Sequence, residues 1–100
     1  MYAFATDFGE IFGYAISTPT SIFIPNSVTT IEEYAFWGCG GLVDINIPDS
    51  VVTIGNYAFY WCYSLKTIYY RGTEAQWSAV TKGSSWKPSS ANVVYNYTGE

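Results

Sequence analysis

The chain has 100 residues, 49% of them apolar and 20% aromatic, and a formal net charge of −4 from four Lys and Arg against eight Asp and Glu. That length suits one modest core rather than two, and that hydrophobicity excludes disorder by composition. The acidic balance gives no electrostatic footprint for nucleic acid, and no apolar run approaches the roughly 18 residues of a membrane-spanning helix.

The opening stretch, MYAFATDFGE, lacks the basic region and apolar run of a signal peptide. The expectation is therefore a protein that stays in the cell or a chain cut from a longer one. YAF at residues 2–4 reads as the tail of a repeat whose start is missing, because YAF recurs at Tyr34 and Tyr57. From Phe4 to Pro25 is 21 residues, against 12 from Phe36 to Pro48, so about nine are inserted (21 − 12). Residues 1–20 are read as a partial repeat and spacer without a clear capping helix.

The central part says one thing twice. IPNSVTTIEEYAFWGC from Ile24 recurs as IPDSVVTIGNYAFYWC from Ile47, an offset of 23 residues. A constant period in the 20–29 range marks a leucine-rich type of solenoid. Within it, LVDINIP (residues 42–48) alternates as a strand, with Leu42, Ile45 and Ile47 inward and Val43, Asp44 and Asn46 outward. Strands are expected at residues 21–24, 44–47 and 67–70, with Ile22, Ile45 and Ile68 stacked. After each strand the spacing changes. Ile31, Ala35 and Cys39, then Ile54, Ala58 and Cys62, fall at i, i+4 and i+8, one face of a short helix. Each coil is thus expected to be one strand plus one short helix, each needing its neighbour to bury its apolar side. Residues 21–70 hold two whole repeats and a final strand.

Past Ile68 the pattern breaks. Thr73 followed by Gln76 fits a capping box that opens a short helix, EAQWSAV. TKGSSWKPSSAN reads as a loop, and VVYNY has the make-up of a last strand. Residues 71–100 are read as a C-terminal cap, since a solenoid must close its last coil.

The pattern IPxSVxxIxxYAFxxCxxLxxI resembles the repeat of BspA-like leucine-rich proteins, which are surface and secreted proteins of bacteria and some protozoa. IYYRGTEAQWSAV (residues 68–80) is similar to the closing cap of such proteins, and FGEIFGYA (residues 8–15) to a spacer within their arrays. The resemblance, which covers roughly residues 8–97, agrees with the α/β solenoid of 23-residue coils and parallel sheet on one face that the register implies, and the length suits a single domain spanning residues 1–100. The resemblance also implies a cell-surface or secreted recognition module with a protein or glycan ligand. Ser27 and Ser50 stand where typical leucine-rich repeats carry Asn, so the Asn ladder of those horseshoes is not expected.

Chemistry for catalysis is hard to find. The chain has no histidine, and its carboxylates show no metal-binding or acid/base spacing. No cofactor, metal site or enzyme activity is expected. The triplet Asn96-Tyr97-Thr98 satisfies the short glycosylation sequon. Cys39 and Cys62 occupy one slot in successive coils. They are expected as reduced core thiols rather than a disulfide, because packed helices would hold them about 8–10 Å apart.

Two surfaces collect aromatics beyond what the core needs. The outer face of the sheet carries Phe23, Asp44, Asn46, Lys66 and Tyr69, the expected partner-binding face. Tyr34, Trp37, Tyr60, Trp61 and Tyr63 crowd the other side, either covering neighbouring coils or meeting a partner. Two functions follow: recognition through the sheet face, or a stalk or terminal cap of a larger surface protein with no ligand of its own. The open N-terminal end leaves two outcomes. Residues 1–16 fold back over their own first coil, or two chains pair there as a homodimer.

Overall fold

The computed structural model describes residues 20–97. Readings made on residues 1–19, including the partial repeat, the spacer and the homodimer contact, lie outside the described residues. So does Thr98 of the sequon.

The described chain winds as a parallel β-solenoid of about three turns. Strands β1 (Ser21–Phe23), β3 (Asp44–Ile47), β5 (Thr67–Tyr70) and β7 (Asn92–Val94) form one parallel sheet in that order. Ile22, Ile45 and Ile68 stack in register, with Val93 next. A second parallel sheet joins β2 (Thr30–Ile31), β4 (Thr53–Ile54) and β6 (Thr81–Lys82). Sequence reading foresaw the first sheet and missed the second, whose two-residue strands are too short to show alternation.

Between the sheets lies the core. Ile24, Ile31, Leu42, Ile45, Ile47, Ile54, Leu65 and Ile68 are all buried, as are Ala35 and Ala58. Every coil shares these side chains with the next, which is why a single 23-residue unit cannot fold alone.

The short helices expected after β2 and β4 do not form, although the residues assigned to their inward face are buried. Those segments are successive turns closed by bonds between residues three apart. The amides of Ala35, Trp37 and Cys39 donate to the carbonyls of Glu32, Tyr34 and Phe36. The alternate amides serve the neighbouring coil instead: Tyr34 donates to Asn56, Phe36 to Ala58 and Gly38 to Tyr60, at 2.7–3.1 Å. An α-helix cannot do this, because each of its N–H groups is committed to a carbonyl four residues back. Left-handed backbone at Tyr34 (φ 63°), Gly38 (φ 76°), Tyr57 (φ 59°) and Trp61 (φ 64°) interrupts any helix every fourth residue. The same spacing that suggested a helix therefore comes from a chain of turns.

The serine slot does bond across coils. The Ser50 hydroxyl donates to the Val28 carbonyl at 2.8 Å, a link of the kind an Asn ladder supplies elsewhere.

After β5 the period stretches. Thr53 pairs with Thr81, 28 residues on, because helix α1 (Glu74–Ala79) is inserted between β5 and β6. Its capping box is present as expected: Thr73 accepts from the Gln76 amide, and Gln76 accepts from the Thr73 amide. Trp77 packs on Tyr70 with ring centroids 4.8 Å apart. The Lys82 ammonium donates to the carbonyls of Trp77 and Val80 at the end of α1 and lies 4.8 Å from the Trp77 ring centroid. Burial lowers its pKa from the usual lysine value.

Candidate functional site

On the outer sheet face, strand register sets the rows. Phe23, Asn46, Tyr69 and Val94 form one row, and Ser21, Asp44, Thr67 and Asn92 another. Phe23 is 49% exposed although no coil packing requires an aromatic there. Asp44 accepts a hydrogen bond from the Ser21 hydroxyl, and Lys66, exposed, directly precedes β5. Tyr69 is half-buried and packs on Tyr97, with ring centroids 4.3 Å apart.

Asn46 departs from the expected exposed face. Alternation points it outward, yet it is only 7% exposed, and its Oδ1 has no hydrogen-bond partner. It sits in the middle of its row between two aromatic neighbours, Phe23 and Tyr69, whose rings are far larger than its amide. Of the residues expected to form the partner-binding face, Phe23 and Lys66 are exposed and Asp44 and Tyr69 half-buried, and Ser21, Asn92 and Val94 add exposed positions to the same rows.

The turn side carries a second surface. Tyr34 stacks on Tyr57 (5.4 Å, 9° between planes) and Trp37 on Trp61 (5.3 Å), while Tyr60 and Tyr63 flank Trp61. Apart from the half-buried Tyr57, these rings stay exposed while stacking, Tyr63 most of all. Trp61 stands 23 residues after Gly38 with similar left-handed backbone, and its indole stacks over the coil where Gly38 has no side chain.

Beneath that surface, Cys39 and Cys62 are free, buried thiols. The Cys62 thiol donates to the Phe36 carbonyl at 3.0 Å. Its pKa is pushed far above the usual thiol value by the neighbouring Cys39 thiol and by burial. The reduced state was expected from helix spacing, but the coils here stack through backbone hydrogen bonds, so that reason does not apply. A protonated, buried thiol is a small apolar core group.

Just past the strand ends lies an open cleft of about 520 Å³ lined by Asn26, Asp49, Arg71, Asn96 and Tyr97. Arg71 spans two coils: its Nη2 donates to Asn26 Oδ1 at 2.6 Å and approaches the Ile24 carbonyl at 3.5 Å. Its guanidinium carbon sits 4.4 Å from the centroid of the Phe23 ring, so the cleft adjoins the sheet face. The sequence places Asn96 and Tyr97 in the sequon and Asp49 among the surface acids, but does not bring these residues together. The signal available was the row of Asn26 and Asp49, polar residues one period apart directly after the Pro that ends each strand.

Among the described residues, no group of three or more His, Cys, Asp or Glu could hold a metal ion. No described helix is long and apolar enough to cross a membrane.

Residues 10–79 match the family model of the BspA type leucine rich repeat region (6 copies). No curated protein and no solved structure matches the chain. Proteins of this repeat family are typically non-enzymatic and surface-associated, and the repeat suggests a protein-interaction or surface module. With its 23-residue register, stacked parallel strands and repeat match across more than two thirds of its length, the chain belongs to the BspA-type leucine-rich repeat family.

Proposed function

We propose that the protein is a non-enzymatic recognition module at a cell surface, which takes a protein partner on its outer sheet face. The observation that carries this reading is Phe23: a large aromatic, half exposed, on a face that owes nothing to the core. Tyr69 and Val94 continue its row, and Asp44 and Lys66 add one charge of each sign. An aromatic anchor with a mixed-charge rim is the usual make-up of a binding hot spot.

The test is binding to a panel of immobilised extracellular matrix proteins. Phe23→Ala and Tyr69→Ala should each weaken binding by about tenfold or more, while Val52→Ala, exposed elsewhere, should leave it unchanged. No binding across the panel, or equal binding by the Phe23 variant, contradicts the reading.

A second reading takes the chain as the terminal cap of a larger surface protein. Helix α1 favours it, since an insertion that breaks the period and lays Trp77 on Tyr70 suits the end of an array. Under this reading residues 71–100 are the cap, and a chain ending at residue 70 loses cooperative unfolding. The homodimer through the N-terminal end belongs with either reading. Light scattering that gives about twice the 11.1 kDa chain mass supports it, and a clean monomer excludes it.

A further inference from the structure

We infer that the cleft past the strand ends is a binding site for a neutral saccharide unit. The site adjoins the face assigned to a protein partner but includes Asp49, which that face does not use, so a variant at Asp49 separates the two readings.

The cleft is large enough for a pyranose ring, at about 520 Å³. Its lining is almost wholly polar: two amides (Asn26, Asn96), a carboxylate (Asp49), a guanidinium (Arg71) and a phenol ring (Tyr97). Such a set offers donors and acceptors side by side, as vicinal hydroxyls need, because each hydroxyl both gives and takes a hydrogen bond.

Two of these groups have capacity to spare. Among the described residues, no hydrogen bond or ion pair engages the Asp49 carboxylate, although a guanidinium lines the same cleft. Arg71 uses only Nη2, on Asn26 and Ile24, and its Nε is buried with no acceptor. A buried donor without a partner is costly, so the guanidinium is held by its contacts with Phe23 and Asn26 rather than by full satisfaction.

The charges decide the ligand class. Asp49 opposes an anion, as does the net charge of −4, and Arg71 opposes a cation. A neutral ligand that donates to Asp49 and accepts from Arg71 meets neither penalty. Charge-assisted bonds of this kind are the stronger ones. Tyr97, packed against Tyr69, adds an aromatic wall of the sort that sugar C–H faces pack on.

The backbone holds the cleft in place. Asn96 takes left-handed backbone (φ 60°), which Asn tolerates, and its amide donates to the Gly72 carbonyl at 2.8 Å. The Tyr97 amide donates to Tyr70 at 3.1 Å. Both residues, which line the cleft with Arg71 just after β7, are therefore fixed before any ligand arrives.

The experiment is a titration of the full 100-residue chain, followed by amide NMR shifts. The probes are the methyl glycosides of glucose, galactose and N-acetylglucosamine, with N-acetylneuraminic acid and inorganic phosphate as anions and glycerol as an open-chain polyol. We expect at least one neutral glycoside to shift the amides of Asp49, Asn96 and Tyr97 saturably. Asp49→Ala, whose side chain has no partner to lose, should keep the dispersed spectrum and weaken binding by about tenfold or more. Val52→Ala, an exposed residue that does not line the cleft, should bind as the parent does. The proposal is overturned if no neutral glycoside saturates, if an anion binds more tightly at the same amides, if glycerol does as well as the sugars, or if Asp49→Ala binds unchanged.

Discussion

Ile54 and Leu65 are sealed inside the coil stack, whereas Val43 sits at its half-exposed outer face. Truncating either of the first two to Ala should cost about 2–5 kcal/mol, while Val43→Ala should cost well under about 1 kcal/mol. Denaturant melts of the three variants check this, and equal shifts would contradict the inward–outward phase. Glycines give a second contrast. A Cβ on Gly55 would stand 2.5 Å from the Glu33 backbone nitrogen, where the second sheet brings two coils together. At Gly40 an added Cβ meets nothing within 4 Å. Gly55→Ala should therefore destabilise by about 1–3 kcal/mol, and Gly40→Ala should change stability by no more than a few tenths in the same melts. The thiols supply a third check. Cys39 and Cys62 should label slowly in the native protein and reach two thiols per chain in denaturant without reductant; finding none would mean a disulfide. At this scale the sequence told which residues face inward, because apolar residues recur at the same offset. It could not reveal that Asn46 is covered, since strand alternation says which way a side chain points and not what its neighbours do to it.

Elements differed in how far the sequence disclosed them. The strands stood out because Ile22, Ile45 and Ile68 repeat a residue type at a constant offset that stacking demands. Helix α1 was legible from one local device, the reciprocal Thr73–Gln76 cap. Thr73→Ala should cost about 1 kcal/mol, read as a lower melting midpoint with the rest of the fold retained. The turn segments were misread for a physical reason. A chain of turns and an α-helix both place every fourth residue on one face, and only backbone hydrogen bonding separates them. Glycine would have signalled the left-handed positions, but Tyr34, Tyr57 and Trp61 occupy three of the four. Bulky residues in that region are strained, and here the strain is offset by ring stacking between coils. The cleft stayed hidden for another reason: Arg71 meets Asn26 across 45 residues of sequence, and no local pattern reports such a contact.

Over the whole molecule, each coil is bound to the next on more than one side: by the four-stranded sheet, by the short second sheet, and by the amides of the turns. Side-chain burial follows from that stacking, so loss of one coil should propagate to its neighbours and unfolding should be a single transition. The function proposed depends on the same rigidity. Phe23, Asp44, Tyr69 and the cleft residues come from different coils and share a surface only while the register holds. The central claim is that the turn side is a hydrogen-bonded ladder between coils rather than a layer of helices. Native-state amide hydrogen exchange tests it directly. The amides of Tyr34, Phe36, Gly38, Tyr57 and Phe59, each donating to the next coil, should be protected to the same degree as those of β3 and β5. If these five exchange as rapidly as exposed turn amides while the strands stay protected, the ladder does not exist and the coils are held by the sheet alone.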